Sequence, residues 1–307
     1  IDPEYYLGGE LKVDGNLSRK ALVGKIGTHY GWTAEESAAN MYRVAMANLM
    51  MAMRIQTVAR GWDPRDFAIV PYGGGGSLYA CDLAREIGSP TVVVPPLPGY
   101  ASAFGAIRVD MKQEFTTPIH KVEEEIDFGW LNGEFDALVK RAVDILKSEG
   151  IAESDIVVER LADVKYFSQS RFFTVAVEPG RIDNVDGITT TFMGAMREAY
   201  GYTLPPGYAP VEIVNLRVVV RGRIEKPDLQ PIERTSTLRD AHKCNRMVWF
   251  QDAGFVQTDI YQRDLLPAGA TFDGPAIVEQ ADTTVVMPPR THCRVDNYGN
   301  LIIQVER

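Results

Sequence analysis

The sequence predicts an α/β protein with a β-rich C-terminal end, and three observations carry that expectation. A strand, a glycine-rich turn, a helix and a second strand follow one another between residues 67 and 94. Amphipathic helical patterns recur at residues 132–149 and 188–200, among strand-like runs. Beyond residue 231 only short β-prone runs separated by turns remain. The 307 residues are 45% apolar and 24% charged, which excludes a disordered, collagen-like or coiled-coil chain. A length of this order allows about two domains. The formal charge is −9, from 32 Lys and Arg against 41 Asp and Glu, with the acids spread through every segment. A nucleic-acid or anionic-membrane binder shows the opposite balance and a basic stripe. Cys81, Cys244 and Cys293 are odd in number and lack C-x-x-C spacing, so they read as thiols in a reducing, cytoplasmic setting. Every apolar stretch is interrupted before the ~18 residues a membrane span needs, and no charged-then-apolar leader opens the chain. The chain starts Ile1-Asp2-Pro3 without Met and reads as the continuation of something upstream.

Residues 1–30, with Gly8-Gly9 and a short apolar alternation from Leu11 to Val13, read as an irregular lead-in. Thr33-Ala34-Glu35-Glu36 sets a Thr three residues before a Glu, a pair able to satisfy two orphan amides at a helix start. A helix is expected from there to about Arg60, stopped by Gly61. Its stretch 41–58 is apolar on nearly every face, with Met41, Met46, Met50, Met51 and Met53 among alanines. Such a helix is buried all round or pressed against a partner, and methionine as adaptable core filler is the expected role here. Asn48 and Arg54, the polar exceptions, are expected to find structural hydrogen bonds. Residues 67–70 are a short strand, residues 78–87 a helix closed by Gly88 with Pro90 beyond, and residues 91–94 a buried strand. A right-handed crossover makes the two strands parallel. Pro98-Gly99 then turns the chain, and the small residues of 101–106 suit close packing.

The helix at 132–149 carries Phe135, Leu138, Ala142, Val143 and Leu146 on one stripe. Residues 156–177 read as two strands broken near Ser168-Gln169-Ser170, and Asp186 is placed to cap the helix that follows. Residues 211–224 are a long alternating strand with Arg217, Arg221 and Arg223 on one side. Beyond 231 no helix is expected, and turns such as Pro267-Ala268-Gly269 and Asn297-Tyr298-Gly299-Asn300 bound the β runs. Three regions are expected: 1–115, 116–230 and a small β module at 231–307.

The glycine run Gly73, Gly74, Gly75, Gly76, followed by Ser77, is the leading candidate site. Successive glycines strip every Cβ from a turn, so backbone amides can approach a ligand, and a following helix start favours anions. Ligands in open α/β sheets gather at the carboxyl ends of strands, where this turn lies. The run is not a phosphate loop of the G-x-x-x-x-G-K type, because Ser77-Leu78-Tyr79 supplies no Lys. As a dinucleotide fingerprint it puts Leu78 where the third glycine belongs, and the next strand ends in Val94-Pro95-Pro96 without a ribose-binding acid. A tight strand-to-helix turn with no ligand is the plain alternative.

Long apolar helix, short strand, glycine turn, helix and strand is the order that closes the nucleotide cleft in the actin, Hsp70 and sugar-kinase superfamily. The segments Asp2-Pro3-Glu4-Tyr5-Tyr6-Leu7-Gly8-Gly9, Gly61-Trp62-Asp63-Pro64-Arg65-Asp66-Phe67, Tyr72-Gly73-Gly74-Gly75-Gly76, Ser102-Ala103-Phe104-Gly105 and Gly274-Pro275-Ala276-Ile277-Val278-Glu279 with Thr283-Thr284 resemble the hydantoinase A / 5-oxoprolinase family. That family includes β-type subunits of acetone and acetophenone carboxylases. The resemblance implies the C-terminal lobe of an actin-like ATPase fold, followed by a mixed α+β region and a small β module. It implies an ATP- and Mg²⁺-dependent enzyme that phosphorylates a carbonyl oxygen, of a cyclic amide before hydrolysis or of a ketone before carboxylation. Gly73, Gly74, Gly75, Gly76 and Ser77 are then the nucleotide-binding residues, with the metal held mainly by an N-terminal half that this sequence lacks. The partners it implies are that half or other subunits of a hetero-oligomer, and the chain is not expected to turn over ATP alone. One departure stands out: the family's Tyr-x-Gly-Gln segment is Tyr166-Phe167-Ser168-Gln169 here, without the glycine. Phe167, Phe172 and Phe173 nearby suit an apolar or aromatic substrate, although alternating strand aromatics are more often core.

The remaining candidates are weaker. His29, His120, His242 and His292 show no metal-ligand spacing, and His292-Cys293 puts its two side chains on opposite strand faces. Asp63-Pro64-Arg65-Asp66 reads as a turn and Asp110 as a cap or surface ion-pair residue. No nucleophile elbow is present. Two further readings are a non-catalytic actin-like scaffold, suggested by the Met-rich helix, and an NAD-dependent oxidoreductase, which fails on the third glycine and the missing acid.

Overall fold

The computed structural model describes residues 2–205, 207–250 and 253–306. In chain order its helices and strands begin with α1 (Gly15–Leu22), which passes through a π turn into α2 (Thr28–Tyr30), and α3 (Ala34–Gln56). Then come β1 (Ala68–Ile69), α4 (Gly76–Ile87), β2 (Thr91–Val94), α5 (Ala101–Ala106), β3 (Met111–Val122) and α6 (Phe128–Ser148). β4 (Ile156–Tyr166), β5 (Phe173–Val177), α7 (Asp186–Tyr200) and β6 (Val211–Gly222) follow. The last part holds α8 (Leu238–Ala241), β7 (His242–Phe250), β8 (Gly254–Gln262), β9 (Thr271–Asp273), β10 (Ala276–Glu279), β11 (Thr284–Met287), β12 (Thr291–Val295) and β13 (Leu301–Val305). The chain divides into two compact units, residues 1–107 with 228–307 and residues 108–227.

The first unit contains two sheets. One runs β1-β2-β13-β12-β9, with β1 parallel to β2 in the register Ala68 with Thr91, so the expected βαβ crossover is present. The other runs β11-β10-β8-β7, with β8 and β10 parallel. The C-terminal segment does not form a module apart. β13 hydrogen-bonds to β2, Leu301 opposite Val94 and Gln304 opposite Thr91. The reason is that β2, Thr-Val-Val-Val, has only the two-residue β1 on one side, and its other edge needs a partner. Helix α4 buries Ala80, Cys81 and Ala84 in one core with Val92, Val94, Val285, Met287, Cys293 and Ile303.

Two expectations for the N-terminal part require correction. Residues 15–30 are helical, with Asp14 accepting from the Asn16 amide at the start and Gly31, φ +70°, at the end. No residue of α1 is itself buried. The Met-rich α3 has its capping box, Thr33 with Glu36, and ends before a short 3-10 turn that Gly61 stops at φ +84°. It is not buried all round. Within this chain only Ala34, Ser37, Ala39 and Met46 are buried, whereas Met41, Val44, Met51, Ile55 and Val58 are each more than half exposed. Asn48 and Arg54 are exposed too.

The second unit is one antiparallel sheet, β3-β6-β4-β5, with α6 and α7 packed against it. Leu131, Phe135, Ala142 and Leu146 from α6 and Ile188, Phe192 and Met196 from α7 join Leu216, Val218 and Val220 in its core. The α6 cap is Asp127, which accepts from the Trp130 amide. Asp186 is not a cap; it is the first residue of α7, behind Val185, where its charge still suits the helix N-terminus. β6 is one of the two inner strands and is covered on both faces for most of its length, which the alternation only partly conveyed. Arg217 pairs with Glu114 and Asp163, and Arg221 with Glu159. Among the described residues no helix is long and apolar enough to cross a membrane.

Candidate functional site

The glycine turn is shaped by what its residues lack. Gly73 takes φ +79°, a conformation that side chains disfavour, and its amide donates to the Pro98 carbonyl at 2.7 Å. Gly76 opens α4, and its amide bonds back to the Gly73 carbonyl at 3.4 Å. Gly75 is the N-cap at φ −103°, and a Cβ built there would meet nothing within 4 Å. Gly74 and Gly75 are exposed, and among the described residues no acceptor pairs with their amides. An open turn with free backbone donors at a helix start favours an anion. Ser77 departs from the candidate set: it is fully buried, its hydroxyl has no partner among the described residues, and it does not share the open side of the loop with Gly74 and Gly75.

The sequence motifs separated by more than 180 residues meet at this turn. The tight turn 280–283, closed by the Gln280 amide on the Thr283 carbonyl, lies against the glycines. Thr283 Oγ1 donates to the Gly74 carbonyl at 3.0 Å, and the Gly99 amide donates to Asp282 Oδ2 at 2.8 Å. Gln280 Nε2 donates to the Pro96 carbonyl at 2.5 Å. The N-terminal motif docks on the same elements. A Cβ built on Gly8 would lie 3.5 Å from Ala281 Cβ, and Tyr5 Oη donates to Gln262 Oε1 at 3.0 Å. Lys243 Nζ sits 3.7 Å from the Tyr5 ring centroid and 2.5 Å from Glu279 Oε2. Arg246 completes the chain of charges, on Glu279 at 2.8 Å and on Asp2 at 3.4 Å. The Glu279 carboxylate is almost wholly buried, and two cations on it balance the cost of removing it from water.

Below the loop, Arg263 is 2% exposed and its Nη2 donates to the carbonyls of Val94, Pro95 and Gly299 at 3.1, 3.0 and 2.8 Å. Burial pushes its guanidinium down to about 10, which still leaves it charged at neutral pH. Arg263 thereby ties the end of β2 to the turn before β13. No sequence signal singled out Asp282 and Thr283 as neighbours of the glycine turn, or Arg263 as the partner of the end of β2, because the contacts are long-range and to backbone atoms.

In the second unit, the Tyr166 hydroxyl is 2.9 Å from Thr203 Oγ1, and Ser168 stands at φ +70°, the conformation a glycine holds without strain. Lys165 Nζ bonds the Gln169 carbonyl at 3.0 Å and Glu212 Oε2 at 3.1 Å. His120, at φ +49° on a β-bulge, has its Nδ1 3.1 Å from Glu212 Oε1. Burial alone raises the Glu212 carboxyl, but hydrogen bonds from His120 and Lys165 outweigh it and hold the group below its usual value. Of the three aromatics, Phe167 and Phe172 are exposed, and Phe173 packs edge-on against Phe192. His292 is exposed and Cys293 buried, on opposite strand faces as expected. Asp63 caps its turn by accepting from the Arg65 amide, and Asp110 pairs with Lys226. Among the described residues no group of three or more His, Cys, Asp or Glu could hold a metal ion.

Comparison with known proteins places these features. The Hydantoinase/oxoprolinase profile matches residues 1–115, and the Hydantoinase/oxoprolinase C-terminal domain profile matches residues 121–304. The caprolactamase alpha subunit of Pseudomonas jessenii is 26% identical over 94% of this chain and 42% of its own length. The acetophenone carboxylase gamma subunit of Aromatoleum aromaticum is 27% identical over 99% of this chain and 43% of its own. The solved nucleotide-free structure of acetone carboxylase superposes with a TM-score of 0.83 at 20% identity, over 99% of this chain and 44% of the other, and so shares the fold. The chain spans less than half the length of the curated relatives it matches.

Proposed function

The chain belongs to the hydantoinase/oxoprolinase family, and on that premise we propose that it is the nucleotide-receiving C-terminal part of an ATP-dependent enzyme acting on a carbonyl compound. Its first unit is read as the C-terminal lobe of an actin-like ATPase, with Gly73, Gly74, Gly75 and Gly76 beneath the adenosine. The observation that carries this is the loop's geometry: Gly75 leaves open space, and the amides of Gly74 and Gly75 have no protein acceptor among the described residues. ATP, when bound, supplies the phosphoryl group that converts a carbonyl oxygen into a leaving group. This chain's part is to hold the nucleotide through backbone contacts that an acidic protein can offer an anion without repulsion. We assign Mg²⁺ mainly to the remainder of the enzyme. The names of the relatives, a caprolactamase and an acetophenone carboxylase subunit, support two reactions, hydrolysis of a cyclic amide or carboxylation of a ketone.

The exposed apolar face of α3 supports assembly with other polypeptide, either the N-terminal half of a family-length protein or further subunits. A non-catalytic scaffold is the competing reading that this face favours. The test is to titrate ATP or a non-hydrolysable analogue against the intact enzyme containing this chain and against its Gly75→Val variant. Because Gly75 has negative φ and free space for a Cβ, the variant is expected to fold normally and lose nucleotide affinity. Unchanged affinity would sink the nucleotide assignment and leave the scaffold. ATP consumption in the presence of a hydantoin, oxoproline, acetone and acetophenone panel, with and without bicarbonate, then separates the two reactions.

A further inference from the structure

Four consecutive glycines cannot hold their own shape. Each has more backbone freedom to lose than any other residue, and none has a side chain to pack. The loop must therefore be fixed from outside, and in this chain the fixing groups come from the turn between β10 and β11. We propose that Asp282 and Thr283 are positioning residues for the nucleotide loop, an inference that rests on the reading of Gly73–Gly76 as that loop.

Two lines of geometry support it. First, the turn grips both strand-end loops that face each other. Thr283 Oγ1 donates to the Gly74 carbonyl at 3.0 Å, which aims the peptide between Gly74 and Gly75 and so the Gly75 amide. Asp282 Oδ2 accepts from the Gly99 amide at 2.8 Å, and the Pro98 carbonyl just before it accepts from Gly73 at 2.7 Å. Asp282, Gly99, Pro98 and Gly73 thus form one chain of hydrogen bonds leading to the first glycine. Second, the approach is too close for chance packing. A Cβ at Gly99 would lie 2.6 Å from Asp282 Oδ2 and 2.9 Å from the Asp282 carbonyl, and a Cβ at Gly74 would lie 3.4 Å from the same carbonyl. Glycine at 99 is what lets the turn seat there, and the turn packs at contact distance on Gly74. Thr283 is buried, so its hydroxyl has no water to turn to, while Asp282 is half-buried with its Oδ1 unused by any described residue.

The variants are chosen to keep shape while removing one bond. Thr283→Val is isosteric and lacks the donor; Thr283→Ser keeps it. Asp282→Ala removes the acceptor; Asp282→Asn can present its amide oxygen to Gly99. In the intact enzyme, Thr283→Val and Asp282→Ala are each expected to weaken binding of a non-hydrolysable ATP analogue about tenfold, the order expected for one lost hydrogen bond. Thr283→Ser and Asp282→Asn are expected to stay within about threefold of the parent. KM for ATP should rise while KM for the carbonyl substrate holds, and amide hydrogen exchange at residues 73–77 should accelerate in Thr283→Val and Asp282→Ala alone. Gly75→Val is measured alongside. If it binds the analogue as the parent does, the loop is not the nucleotide site and the underlying reading fails. If Gly75→Val loses affinity while Thr283→Val and Asp282→Ala keep it, the loop reading stands and the positioning role is overturned. Equal losses in the conservative and non-conservative variants, accompanied by a lowered Tm, would also overturn it, since that is the pattern of a general structural defect.

Discussion

Replacing Arg263 by Met tests whether one buried cation organises the centre of the first unit. Its Nη2 carries two protons that three carbonyls share, those of Val94, Pro95 and Gly299. Hydrogen bonds to a charged group are worth about 1.5–3 kcal/mol each, so two are worth roughly 3–6 kcal/mol. Against this stands the desolvation of a guanidinium that is 2% exposed and whose Nη1 has no partner among the described residues, several kcal/mol that Met does not incur. Met also fills much of the stem's volume, so no large cavity is added. The balance is a net loss of about 2–4 kcal/mol, because the buried Val94 and Gly299 carbonyls and the part-buried Pro95 carbonyl lose this donor. For a unit of this size, that corresponds to a fall in Tm of about 4–16 °C. Thermal unfolding of the intact protein, monitored by circular dichroism, reads it directly. Hydrogen exchange should show faster exchange around the end of β2 and the turn at 296–300. If Arg263→Met is as stable as the parent or more so, the buried charge is a net burden and the carbonyls are satisfied in another way.

The remaining predictions concern the second unit and the exposed helix. Glu212 is held below its usual carboxyl value in the folded state, so it contributes stability above its unfolded value near 4.5 that is lost as pH falls through the lower folded one. Glu212→Gln should therefore be less stable at neutral pH and show a shallower acid limb in a pH series of denaturant midpoints. Phe192→Ala removes a fully buried ring that meets Tyr166 edge-on at 5.0 Å, and should cost about 3–5 kcal/mol in denaturant unfolding. Met51 is 66% exposed, so Met51→Lys should change the chain's own stability by less than about 0.5 kcal/mol. The same change should weaken assembly of the enzyme, as measured by native mass, if α3 is covered by other polypeptide.

Much of this protein is written in its local sequence, where the chemistry is short-range. The capping box at Thr33 and Glu36 satisfies amides three residues apart, and the stripe of α6 repeats on a helical period. The βαβ order around the glycines follows from β-branched runs, a Cβ-free turn and a glycine stop at Gly88, φ +86°. Family membership is legible for the same reason, since its motifs are contiguous segments of a few residues each.

Other features are set by partners far along the chain, and local patterns do not reach them. An apolar helix looks the same whether its cover lies inside the chain or outside it, so the periodicity of α3 could not show that Met41 and Met51 are exposed here. A β run declares its own extension but not its neighbour, and only tertiary structure seats β13 beside β2 and makes the C-terminal segment part of the first unit. The glycine run announces by itself that something must approach the backbone closely. What fixes that backbone, Thr283 on Gly74 and Asp282 on Gly99, is decided by folding, because a hydrogen bond to a peptide group does not name its distant partner in the local sequence.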